Sequence, residues 1–171
     1  MNGPQATLDY YHLAGTLLQV GSVIAPGNWG RIIRATGWRH PEAVKEMALE
    51  YVRRLNCPDK PSRLESAFAF LTVDEARNFR GRIAGFGSHT LYRVGLVARD
   101  APSHIADSRL SGPQGALHDN WPEDYWREYD PATIAVPGID NWVACASSSP
   151  GGLHSRELLT LSALVIRDRI D

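Results

Sequence analysis

The chain has 171 residues, of which 43% are hydrophobic and 22% charged, and its formal net charge is -1. This is the size and composition of one globular domain, which excludes fibrous and low-complexity classes and argues against binding driven by general phosphate neutralisation. No apolar run approaches the ~20 residues of a membrane span, residues 1–5 carry no secretory signature, and Cys57 and Cys145 suit reduced thiols, so a cytoplasmic protein with no membrane partner is expected.

The charge is unevenly spread. Residues 51–99 hold nine Lys/Arg against four Asp/Glu, whereas residues 100–131 hold two Arg against seven Asp/Glu. Such a split fits either a basic cleft beside an acidic surface or two ordinary solvated faces.

In chain order, residues 7–13 are rich in β-branched and aromatic side chains and read as a first strand. Residues 21–28 are turn-rich around a short extended piece. The clearest helix is 41–55: Pro41 suits a first turn, and Val44, Ala48, Tyr51, Val52 and Leu55 recur on one face. Residues 68–71 form a short apolar strand, after which Thr72 and Glu75 make the capping box of a second helix. Residues 90–97 read as another strand. The stretch from there to Trp142 reads as mostly irregular, and 142–146 and 158–166 as the last two strands, separated by a Ser/Gly-rich loop at 147–152. Strands outnumber helices and no βαβ alternation appears, so the expectation is a single α+β domain over 1–171, built on mainly antiparallel sheet.

Three segments carry side chains suited to ligand chemistry. His12 lies on the first strand and is followed by Ala14, Gly15 and Thr16, so an imidazole and a closely approachable backbone stand together. Arg63 precedes the strand holding Phe70, which offers a guanidinium for phosphate and a ring face for a heteroaromatic base. Glu157 sits at the mouth of an apolar strand. Each has an ordinary structural reading when taken alone. His104, His118 and His154 show no metal-ligand spacing, and no P-loop or G-x-S-x-G elbow is present. Trp121, Tyr125, Trp126 and Tyr129 form an aromatic segment that fits packing under a long loop, or stacking on nucleobases.

In their order these segments resemble the ADP-ribosyltransferase fold, in particular the rifampin-modifying enzymes over 10–27, 68–76 and 91–94, and the DNA-modifying toxins over Ser155-Arg156-Glu157-Leu158-Leu159. Phe70 stands where those relatives commonly carry Tyr, and Ser155 where an acceptor-orienting Glu or Gln is common. The resemblance implies mainly antiparallel split β-sheets with a few flanking helices, and NAD as co-substrate with no metal. It implies transfer of ADP-ribose to a macromolecular acceptor, protein or nucleic acid, by a bacterial toxin, effector or phage-defence enzyme. A cognate antitoxin or immunity protein and delivery into a target cell's cytoplasm belong to the same picture. Alternatives are an NAD glycohydrolase or antibiotic-modifying transferase, and a non-catalytic NAD- or ADP-ribose-binding module.

The resemblance also implies roles. His12 would bond the adenosine-side ribose, the backbone after it around Gly15 would hold the nicotinamide amide, and Phe70 would pack on nicotinamide. Arg31, close after Asn28, and Arg63 would meet the pyrophosphate, and Trp29 is a candidate to stack on adenine. Glu157 would stabilise the oxocarbenium-like ribose through its 2′-hydroxyl and take a proton from the acceptor. The 147–154 loop would meet the acceptor.

Overall fold

A computed structural model describes residues 8–83, 85–108, 120–127 and 156–171. Seven strands are described: β1 Tyr10–Ala14, β2 Val23–Ile24, β3 Ala67–Phe70, β4 Thr90–Leu96, β5 Ser103–Asp107, β6 Arg156–Thr160 and β7 Leu164–Arg169. Four α-helices join them: α1 Asn28–Thr36, α2 Ala43–Asn56, α3 Val73–Arg82 and α4 Trp121–Trp126. The chain is α+β, with every paired strand antiparallel in the order β2-β7-β4-β1-β3-β6-β5. No helix among the described residues is long and apolar enough to cross a membrane.

Pairing unites all seven described strands in one sheet, where the resemblance implies split sheets. The sheet nevertheless folds on itself. Thr160 and Leu164 end and begin strands four places apart in the order, a separation of about 19 Å in a flat sheet. The short link between them reaches at most about 14 Å. The two halves therefore close face to face, and one apolar cluster lies between them, with Ala67, Ala69 and Leu158 from one half and Tyr92, Val94, Leu164 and Ile166 from the other. At the fold, β1 and β3 share a single registered pair, Tyr11 with Phe70.

The 158–166 strand read from sequence is thus two strands with a turn between them. Hydroxyl groups make that turn: the Ser162 amide donates to Thr160 Oγ1 (3.1 Å), and Ser162 Oγ accepts from the Ala98 amide (2.9 Å). β5 and α4 fall in the stretch expected to be irregular. β5 is short and polar and exists through its pairing with β6, from Ser103↔Thr160 to Asp107↔Arg156, a tertiary effect that local propensity does not reveal. The expected strand at 142–146 and the loop at 147–154 lie outside the described residues.

The capping box forms as read, with Thr72 Oγ1 accepting from the Glu75 amide (3.2 Å) and donating to Glu75 Oε2 (2.9 Å). The long helix is also found, but it turns a different face inward. Ala43, Glu46, Leu49 and Val52 are buried, whereas Val44, Tyr51 and Leu55 are exposed. The physical reason is that Glu46 is drawn inward by a buried arginine, described below, while Leu49 packs against Trp126 and lends its carbonyl to the Trp126 indole (2.8 Å).

α1 had no counterpart in the sequence reading, because Gly27, Asn28, Gly30 and paired isoleucines are weak helix formers. It forms by packing on the 3-10 turn Arg63–Glu65. A Cβ on Gly30 would lie 1.9 Å from the Leu64 carbonyl oxygen. Only glycine lets the two backbones approach this closely. We expect Gly30→Ala to destabilise the protein by about 1–3 kcal/mol, read as a lower urea midpoint with an unchanged m-value; an unchanged midpoint would show that α1 can lift off the turn freely.

Candidate functional site

Glu157 and Phe70 are directly paired across β6 and β3, and Phe70 is paired with Tyr11 on β1. Paired residues share a face, so Tyr11, Phe70 and Glu157 form one row across three adjacent strands. On one side of that row Phe70 packs with Leu13, Ala76 and Leu91, its ring 5.0 Å from that of Phe79 on α3. On the other, Leu159 packs with Tyr125, Trp126, Leu49 and Val52. The carboxylate lies at the seam of the two clusters.

Arg63 reaches into this seam from its 3-10 turn. Ser62 holds the turn, its Oγ donating to Glu50 Oε2 (2.8 Å) and accepting from the Leu64 amide (3.2 Å). The guanidinium is buried and meets a carboxylate on either side: Nη1 donates to Glu157 Oε1 (2.6 Å), and Nε and Nη2 donate to Glu46 (3.0–3.2 Å). Nη1 also meets the Tyr125 hydroxyl, which in turn donates to Glu157 Oε1 (2.6 Å). The Phe68 and Tyr125 rings each lie 4.9 Å from the guanidinium carbon, within cation–π range.

The electrostatics follow from this geometry. Burial alone would lower the Arg63 pKa, but the surrounding groups, Glu46 and Glu157 among them, hold it well above its ordinary value. Burial would raise the Glu46 pKa, and Arg63 outweighs it, so the Glu46 carboxyl sits below its usual range. Burial pushes the Tyr125 hydroxyl well up, keeping it a neutral donor. One buried cation thus lies between two buried carboxylates, and Lys45 also acts on Glu46. Both hydrogen bonds to Glu157 fall on Oε1; among the described residues Oε2 accepts none.

The other residues singled out from sequence are distributed differently. Arg63 joins Glu157, but its donors are committed to carboxylates, so contact with a pyrophosphate would require those bonds to break. His12 shares its side of β1 with Tyr10 and Ala14, which pack on the cluster between the half-sheets. By strand alternation this is the side opposite to Tyr11. Its Nδ1 donates to the Phe68 carbonyl (2.7 Å), filling the gap where the β1–β3 ladder stops, and burial lowers its pKa. At Gly15 a Cβ would come within 3.2 Å of His89 Nε2. Asn28 opens α1, and its Oδ1 accepts from Arg31 Nη2 (2.7 Å) at the surface. Trp29 stands edge-on to His40, ring centres 5.1 Å apart.

Sequence reasoning missed Glu46 and gave Tyr125 a different role. A signal for Glu46 exists, a carboxylate in register with Ala43, Leu49 and Val52 on the buried line of α2. Among the described residues no group of His, Cys, Asp or Glu is arranged to hold a metal. His118, Tyr129, Cys145, His154 and Ser155 lie outside the described residues.

Two outcomes are expected. Arg63→Met leaves two carboxylates buried without their counter-ion and should cost about 3–5 kcal/mol in urea unfolding at pH 7; a loss below about 1 kcal/mol would mean that water already compensates them. The second concerns His104 on β5, which stacks on Trp126 at 5.6 Å. Burial and Lys60 lower its pKa to about 4, against the backbone hydrogen bond to Tyr125. Because the unfolded histidine takes its proton near pH 6.5, this contribution is complete above that pH and is lost as pH falls from 6.5 towards 4. Thermal midpoints should drop across this window, and His104→Gln should flatten the drop; an equally steep profile in the variant would assign the effect elsewhere.

No protein-family model matches the chain, and no curated protein matches it.

Proposed function

We propose that this chain is an ADP-ribosyltransferase-like enzyme that cleaves NAD and transfers ADP-ribose to a macromolecular acceptor, with Glu157 as the catalytic residue. The observation that carries the reading is the fixed carboxylate of Glu157, held through Oε1 while Oε2 accepts no hydrogen bond among the described residues. Breaking the bond between nicotinamide and ribose sends the bonding pair out with nicotinamide, which departs neutral, and positive charge grows on the ribose. A carboxylate held in place before the reaction stabilises such charge most effectively, because it need not reorganise as the charge appears.

Arg63 and Tyr125 fix the carboxylate through Oε1. Oε2 is then the atom to accept a hydrogen bond from the ribose 2′-hydroxyl, and to take the proton from the acceptor as its oxygen or nitrogen bonds to the ribose. Phe70, next to Glu157 in the row, is packed under Phe79 in the core, so contact with a flat heteroaromatic group would require that packing to open. Arg63 acts here as a positioning residue, with Glu46 anchoring it from behind. The strands that bear these motifs, β1, β3 and β6, are neighbours in the sheet, which brings Phe70 beside Glu157, while His12 faces the other side of β1.

The test is nicotinamide release from NAD by the purified protein, with and without a cell lysate, beside Glu157→Gln. We expect release to fall by ~10²–10³-fold in the variant, and lysate to raise release by the wild type while ADP-ribose appears on a macromolecule. Release without transfer would leave a glycohydrolase. No release from a wild-type protein that also fails to bind NAD would reduce Glu157 to the structural counter-ion of Arg63.

A further inference from the structure

We propose that the exposed face of α1 and the 3-10 turn after it, Gly37–Arg39, binds single-stranded nucleic acid. Between Asp9 and Glu42 the sequence contains no acidic residue, while it places Arg31, Arg34 and Arg39 there. The structure exposes all three. Gly30 and Ile33 bury the inner side of α1, and Arg31 and Arg34, three apart, share the outer side. Arg31 bonds the neutral Asn28 amide and keeps its charge, and neither Arg34 nor Arg39 makes an ion pair among the described residues.

The second observation is Trp38, 73% exposed between the arginines. Tryptophan is seldom left this open, and in the chain it stands between Arg34 and Arg39, both exposed. A flat ring for a base and guanidinium groups for the phosphates are the two parts of a single-strand platform. Duplex DNA would leave the ring without an unstacked base.

Nearby carboxylates do not cancel the charge. Glu42 is taken by Lys45, and Glu65, on the turn beneath α1, lies towards Arg53. The patch spans the end of α1 and the turn after it, so it suits a short stretch of strand.

The test needs no NAD and so stands or falls apart from the proposed reaction. Fluorescence anisotropy of a labelled oligo-dT and oligo-U, titrated with the full chain, should show binding whose log–log salt slope is about −2, from three phosphate contacts at ~0.7 each. Trp38→Ala should weaken it about tenfold, Arg34→Glu with Arg39→Glu should abolish it, and both variants should keep the wild-type melting temperature. Absence of binding at low salt, or binding that the arginine variant retains, would overturn the proposal. So would equal affinity for a duplex with no effect of Trp38→Ala, or equally strong competition by poly-glutamate, which would mark a general polyanion or acidic-protein surface.

Discussion

A single guanidinium in the interior imposes most of the order seen around β6. Arg63 is buried, and a buried cation is tolerable only when its donors are met. Its Nε and Nη2 reach Glu46, and Nη1 reaches Glu157 and Tyr125. Those partners come from α2, β6 and α4, so one side chain ties together elements far apart in sequence. It also explains why α2 turns Glu46 inward and leaves Val44, Tyr51 and Leu55 in solvent. The loss of apolar burial on that helix is offset by the avoidance of an unpaired charge, which costs several kcal/mol.

The same constraint prepares the chemistry proposed for Glu157. A carboxylate with one oxygen fixed, and the other accepting no bond among the described residues, is oriented for that role. The seam between the Phe70 and Leu159 clusters supplies low-polarity walls, in which the remaining charge acts over a short distance with little screening. α1 packs on the Arg63 turn through Gly30, with its exposed arginines on the outer side.

Elements with a strong local signature were legible in the sequence. The Thr72 and Glu75 capping box, the long helix and the apolar strands at 68–71 and 90–97 all appear within a residue or two. What escaped was set by distant contacts. β5 depends on β6, α1 on the Arg63 turn, and the inward face of α2 on a charge that periodicity treats as solvent-facing. In the site, Glu157 and Arg63 were both singled out, yet their mutual bond was not, since nothing local says that residues ninety-four apart will meet. The sequence suggests a ligand for His12, whereas its imidazole is engaged with the Phe68 carbonyl where two strands part.

The position of β6 in the sheet also orders events during biosynthesis. This strand lies between β3 and β5, although both precede it in the chain by about fifty residues or more. Until it emerges from the ribosome, the edges of β3 and β5 have no strand between them and Arg63 has only Glu46 as a carboxylate partner. A nascent chain therefore joins β3 to β5 and gives Arg63 its second carboxylate in one late step, and the sheet closes only when β7 follows between β2 and β4.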